Sequence, residues 1–193
     1  MPSTDRPHPR PRSYAPEPSA LLITGTVGVG KTTAAELVGD LLADAGIPHA
    51  VLDLDGLCRA WPAPEDDPFQ QRLLLANLRA VAVNHRAAGA RHLVLAGVAE
   101  NAGERNALQE ALSLPLRVCR LTAALDTVHT RLRHRHEGDY DPASFPWHLD
   151  RAGQLDLALD QAAFADDTLD TTQLTPEAVA ATVAETTGWL HHR

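Results

Sequence analysis

The residues whose types and spacing could do chemistry are concentrated in Gly25-Thr26-Val27-Gly28-Val29-Gly30-Lys31-Thr32, which fits the pattern G-x-x-x-x-G-K-[ST] and is followed by a second threonine, Thr33. Glycines at 25, 28 and 30 permit positive φ, so the backbone around Val27 and Val29 can turn its N–H groups inward as an anion nest at a helix N-terminus. A compact ammonium at Lys31 reaches β- and γ-phosphates in such a nest, and the Thr32 hydroxyl is placed for Mg²⁺. Of the 17 basic residues 16 are arginine, and Lys31 is the only lysine. A chain so biased toward the planar guanidinium has kept a point charge on a thin stem where one must enter a phosphate cradle.

A phosphate cradle with a metal needs a carboxylate, often at the end of a strand other than the one before the loop. The apolar run at 91–97 ends Leu95-Ala96-Gly97 without an acid, whereas Asp53 and Asp55 stand at the end of the run 49–53. Two apart on a strand end they share a side, opposite in parity to the apolar residues. One is then available for the metal's water shell (Asp53) and the other to accept a proton from a substrate hydroxyl (Asp55). The competing reading of Asp53-Leu54-Asp55-Gly56 is a turn held by Asx hydrogen bonds.

A second constellation is Arg131-Leu132-Arg133-His134-Arg135-His136. Arg131 and Arg135 are four apart and share a helix face, as a pair that neutralises phosphoryl oxygens would; a solvated last helical turn favoured by the helix dipole is the alternative. His134 and His136 lack further ligands to make a metal site. Arg59, just past the Asp pair, and Glu100, after the third strand, are candidates for contacting an acceptor. Arg72 and Arg79 read more simply as surface arginines. Arg151 could approach from a lid hinge, and Trp61 and Trp147 could wall an acceptor site or only pack.

The elements that must position these groups follow from periodicity. Residues 19–24 read as a short buried strand, and the helix after the loop carries Leu37, Val38, Leu41, Leu42 and Ala45 before Gly46 and Pro48 stop it. A second strand spans 49–53, and 57–67 is a Pro-rich acidic loop. Asp67-Pro68 opens a helix to about residue 88 with Phe69, Leu73, Leu74, Leu78 and Val81 on its apolar side and Gly89 as its cap. Strands at 91–97, 116–121 and 167–170 alternate with helices at 105–112, 123–136, 149–161 and 176–186, and 138–147, with Gly, Pro and aromatics, reads as a loop that closes over a site. This alternation predicts an α/β fold with a doubly wound parallel sheet and ligands at the carboxyl ends of its strands.

Length and composition set the outer bounds. The 193 residues suit one domain, expected over 19–193 with a lid around 133–148, after a disordered leader at 1–18 that holds six prolines and three arginines. A net charge of -8 argues against a general nucleic-acid or anionic-membrane binder. Cys58 and Cys119 lack metal-ligand spacing, and a reduced cytoplasmic setting is expected. No membrane-length apolar run or signal-peptide core is present, and nothing specifies an oligomeric state.

Taken together, GTVGVGKTT after the first strand, DLD ending the second, a third strand ending AG, and RLRHR before the expected lid resemble the small P-loop kinases of the nucleoside monophosphate kinase-like group, on the shikimate, gluconate and adenylylsulfate kinase branches. The resemblance spans about residues 19–190. It implies a three-layer P-loop NTPase fold with a five-stranded parallel sheet of order 2-3-1-4-5, ATP with Mg²⁺ as donor, a small-molecule acceptor, and the Arg131 to Arg135 cluster in the lid role. Adenylylsulfate kinases carry Asp-Gly-Asp followed by Asn and Arg where this chain has Asp53-Leu54-Asp55-Gly56-Leu57-Cys58-Arg59. Shikimate kinases have three glycines where this chain has Gly97-Val98-Ala99. Neither acceptor is therefore carried over. The alternative function is a nucleotide-binding regulatory protein or ATPase with no metabolite acceptor. A conventional GTPase needs a second lysine for its guanine-reading element, which this chain lacks.

Overall fold

An apolar run such as Leu93-Val94-Leu95-Ala96 is stable as a strand only where both faces are covered, and that is the environment it occupies. The computed structural model describes residues 17–136 and 144–191. The strands are β1 (Ser19–Gly25), β2 (His49–Asp53), β3 (His92–Ala96), β4 (Leu116–Thr122) and β5 (Asp167–Asp170). The helices are α1 (Lys31–Asp44), α2 (Gln71–Ala87), α3 (Ala102–Leu112), α4 (Leu125–His136), α5 (Ser144–Ala162) and α6 (Pro176–Thr187), with single 3-10 turns at Leu54–Leu57 and Trp189–His191. All pairings are parallel, and the strand order is β2-β3-β1-β4-β5.

Alternation along β1 divides the core. Leu21 and Ile23 face one side with Val38 and Leu42 of α1 and Val179 and Val183 of α6. Ala20 and Leu22 face the other, with Leu74 and Leu78 of α2 and Leu108 and Leu112 of α3. Because β1 lies between β3 and β4, the chain direction across the sheet reverses at its carboxyl end, where an open α/β sheet leaves a crevice. Register then puts Ile23, Ala96 and Asp53 in one row across β1, β3 and β2. The second strand thus delivers its terminal carboxylate close to the loop after the first.

Several boundaries differ from expectation for local reasons. Helix α2 starts at Gln71 instead of Pro68, because the Asp67 carboxylate accepts the N–H groups of Gln71 (2.8 Å) and Arg72 (3.1 Å) and Gln70 adopts φ 53°. Phe69 therefore lies outside the helix and is 68% exposed instead of buried on its apolar side. Helix α3 begins three residues early, since Asn101 caps it through the Glu104 N–H (3.0 Å) while the Glu104 side chain reaches back. The expected lid is helical at both ends: α4 runs to His136 and α5 begins at Ser144, while 137–143 and the leader at 1–16 lie outside the described residues. No described helix is long and apolar enough to cross a membrane.

At the opposite end of the sheet from the crevice, His92 is 1% exposed and stacks on Trp189 with ring centroids 4.3 Å apart. Trp189 Nε1 donates to Ser19 Oγ at 3.0 Å, and His92 Nδ1 lies 3.3 Å from the same oxygen. Burial, with Arg91 adding repulsion, depresses the His92 imidazole to about 4. The unfolded chain, with an ordinary value of 6.5, then binds this proton more readily than the folded one. The contribution of neutral His92 is complete above pH 6.5, falls as pH drops from 6.5 toward 4, and changes no further below that. At about 1.4 kcal/mol per pH unit it amounts to at most roughly 3.5 kcal/mol. Urea midpoints measured from pH 4 to 7.5 are expected to fall more steeply with acid in the wild type than in His92→Phe.

Candidate active site

The loop between β1 and α1 has the left-handed turns its glycines allow. Gly28 is at φ 79°, and a Cβ there would sit 2.6 Å from Leu132 Cγ of α4, so position 28 excludes any side chain on both counts. Leu132 packs with Val128, Ala152 and Val27, closing α4 and α5 over the loop. Helix α1 follows Gly30 with no side-chain cap, which leaves its first N–H groups to the loop. Lys31 Nζ donates to Thr26 O at 3.0 Å.

Asp53 is engaged at both carboxylate oxygens. Thr32 Oγ1 donates to Oδ2 at 2.9 Å, while Oδ1 accepts the Asp55 N–H at 3.0 Å and caps the 3-10 turn Leu54–Leu57. Asp55 consequently stands on that turn and not on the strand, so the expected same-side geometry of a continuous strand does not apply; both acids nonetheless line the same cleft. The acid-free end of β3 has a steric origin. A Cβ at Gly97 would lie 2.6 Å from Leu54 Cδ1 and 2.7 Å from Leu54 Cβ, so the turn that carries Asp55 is seated where a side chain would otherwise stand.

The cleft has a volume of about 1180 Å³. Of the expected residues, Val27, Gly28, Val29, Gly30, Lys31, Thr32, Thr33, Asp53, Asp55, Arg59, Glu100 and Arg131 all line it; Gly25 does not, lying instead against the backbone of Leu121. Arg131 donates to Val29 O (3.1 Å), Thr171 Oγ1 (3.0 Å) and Thr171 O (2.9 Å), joining α4 to the loop and to the end of β5. Arg135 belongs to α4, but its side chain lies outside the described residues. Arg72 pairs with Asp66 on the surface (2.9 Å), away from the cleft.

Sequence reasoning missed two parts of the wall. Thr171, Leu174 and Val179, at the end of β5 and the start of α6, complete the side nearest Arg131; the rule that ligands lie at strand carboxyl ends points to Thr171 once the short β5 is accepted. Phe69 lines the far side, with the Arg151 guanidinium 5.7 Å over its ring. Arg151 in turn forms an ion pair with Glu100, whose N–H donates to Glu104 Oε2 at 2.7 Å. Burial pushes the Cys58 thiol up, and the Asp55 carboxylate adds to the shift, so this cleft residue is a neutral thiol at pH 7.

Helix α5, which carries Arg151, is fixed by polar contacts to the sheet and the loop. Thr26 Oγ1 donates to Ala152 O, and the buried Arg120 of β4 donates to Asp160 Oδ1 (2.7 Å) and Asp156 Oδ1 (2.8 Å). Among the described residues no group of three or more His, Cys, Asp or Glu side chains could hold a metal ion by itself.

Solved structures share this fold over nearly their whole length. The APS kinase of Mycobacterium tuberculosis, in complex with AMPPNP and APS, superposes with a TM-score of 0.57 at 23% identity, covering 91% of this chain and 99% of that one. The fold is that of the small P-loop kinases. A gluconokinase from Sinorhizobium meliloti shares the P-loop kinase fold at TM-score 0.54 and 20% identity, with 91% and 98% covered. Shikimate kinase from Acinetobacter baumannii in complex with shikimate matches at 0.53 and 19%, with 91% and 96% covered. No protein-family model and no curated protein matches the chain.

Within this P-loop kinase fold, the contact between Gly97 and Leu54 is open to test. Gly97→Ala is expected to lower stability by about 1–3 kcal/mol through overpacking, read as a reduced urea midpoint with an unchanged slope.

Proposed function

We propose that the chain is a small-molecule kinase that moves the γ-phosphoryl group of ATP to a hydroxyl of a small acceptor, in a cytoplasmic setting and without nucleic acid as a partner. The observation that carries this reading is Asp53, whose one oxygen takes the Thr32 hydroxyl of the phosphate loop and whose other takes the backbone of Asp55. The loop and the Asp55 carboxylate thereby face one cleft that extends beyond them to Arg59, Glu100 and Arg151. The likeness to kinases in the comparisons supports the reading at the level of fold.

The residues present fit ATP with Mg²⁺. The loop turns through left-handed Gly28 and Gly30 (φ 79° and 106°) with open space beside Gly30, α1 starts without a side-chain cap, and a hydroxyl and a carboxylate already meet at Thr32 and Asp53. Thr32 and Asp53 would hold the metal and its waters, and Val27 to Thr33 with Lys31 would hold the phosphates. When bound, Mg²⁺ supplies positive charge shared between the phosphate oxygens.

In the transfer, Asp55 takes the proton of the acceptor hydroxyl as its oxygen bonds to phosphorus. The bond from phosphorus to the bridging oxygen breaks, and that oxygen keeps the electron pair and leaves on ADP. Lys31 neutralises charge on the phosphoryl oxygens. Arg131, held against Val29, adds fixed positive charge beside the loop, and Arg135 is assigned to the same lid role. Arg59 and Glu100 orient the acceptor. Most of the acceleration comes from alignment and charge neutralisation.

A screen of metabolite alcohols and nucleoside monophosphates for acceptor-dependent ADP release tests the proposal directly. With an accepted substrate, Lys31→Ala is expected to lower kcat by about 10²–10³-fold and Asp55→Asn by about 10²–10⁴-fold. Background hydrolysis alone across the panel would remove the kinase assignment in favour of a nucleotide-binding regulatory protein. Asp53→Ala is expected to raise the Mg²⁺ concentration needed for half-maximal rate, read from a metal titration.

A further inference from the structure

Beyond the phosphate loop, the described residues on the acceptor side of the cleft carry more negative than positive charge. Asp55, Glu100 and Glu104 stand against Arg59 and Arg151, and Arg151 is already paired with Glu100. An acceptor bearing its own carboxylate or phosphate would share the cleft with Asp55 and would have to compete with Glu100 for Arg151. Coulomb repulsion in a partly desolvated cleft makes that unfavourable. An uncharged alcohol meets neither obstacle.

A second feature gives this alcohol a shape. The two most exposed large apolar side chains described are Trp61, at 94%, and Phe69, at 68%. They line one shallow, solvent-open depression, which shares Cys58, Arg59 and Phe69 with the main cleft and so adjoins it. The segment presenting them is fixed by polar bonds: Gln70 Nε2 donates to Ala60 O at 2.7 Å, and Asn77 Nδ2 of α2 donates to Leu57 O at 2.6 Å. Burying such rings against the protein would be favourable. Keeping two of them in water at the mouth of a cleft, on a braced loop, is the arrangement of a surface that stacks on a ligand.

We propose that the acceptor is an uncharged alcohol bearing an aromatic or similarly flat apolar group, its hydroxyl at Asp55 and its flat group in the hollow of Trp61 and Phe69. This inference rests on the kinase reading above for the transfer itself, but the subsite has a readout of its own. Three matched acceptors separate its parts: phenyl β-D-glucoside, methyl β-D-glucoside without the ring, and phenyl β-D-glucuronide with an added carboxylate. With ATP and Mg²⁺, kcat/KM is expected to be at least about tenfold higher for the phenyl glucoside than for either other compound, the effect of roughly 1.4 kcal/mol of stacking. Trp61→Ala and Phe69→Ala should raise its KM by about as much and change kcat less.

Equal or better turnover of the methyl glucoside or the glucuronide overturns the inference and leaves the kinase reading standing. If none of the three is turned over, binding decides. Saturable quenching of tryptophan fluorescence by the phenyl glucoside, lost in Trp61→Phe and absent with the methyl glucoside, keeps the subsite, and the kinase reading is then decided by the wider acceptor screen above. Absence of saturable quenching overturns the inference. Trp61 and Phe69 are exposed, so their variants should keep wild-type circular dichroism, and that check accompanies each assay.

Discussion

One carboxylate holds the two halves of the cleft in register. Asp53 ends β2, and from there it accepts the Thr32 hydroxyl with one oxygen and the Asp55 N–H with the other. The first bond reaches the phosphate loop and the second defines the turn that presents Asp55. The first depends on the strand order, which brings the end of β2 to within one intervening strand of β1, whereas the second is local to the turn. The row Ile23, Ala96, Asp53 is the sheet's way of delivering a charge sideways to a loop it is not connected to. The capped-turn reading of Asp53-Leu54-Asp55-Gly56 holds at Asp53 Oδ1, and it leaves Oδ2 to the Thr32 hydroxyl, so it does not compete with the acid-pair reading.

The surrounding packing protects that geometry. Leu54 fills the space above Gly97, so the turn rests on the end of β3, and Leu132 fills the space above Gly28, so α4 rests on the loop. Helix α5 is held from two sides, by Thr26 below and by Arg120 through Asp156 and Asp160. Apolar contact sets how near these elements come, and directional hydrogen bonds set where along their length they stop. Preorganisation of this kind reduces the cost of aligning two substrates.

Much of this was legible in the sequence. Continuous apolar runs at 19–24 and 91–97 announced strands covered on both faces, and the one lysine in its glycine frame announced the loop. The missing acid after β3 directed attention to Asp53. What could not be read was governed by single side-chain hydrogen bonds. Nothing in the residue pattern says that Asp53 will cap its own turn and take Asp55 off the strand, or that Asp67 will cap α2 and leave Phe69 outside it. Periodicity reports which faces are apolar, whereas caps decide where an element begins, and the far wall of this cleft is built where elements begin. Thr171 escaped because β5 is only four residues long with alternating partial exposure, too weak a pattern to mark its end as a site.

The solitary lysine also gives the chain an unusual chemical address. Arginine does not react with amine-directed acylating reagents, so apart from the α-amino group the only amine they can find is Lys31 Nζ, which lines the cleft next to Thr26 and Thr32. In most proteins such reagents label the surface indiscriminately. Here a single mass increment on one peptide would report how accessible the cleft is, and a fluorophore or crosslinker attached through an amide would be delivered to one known place without any engineered residue.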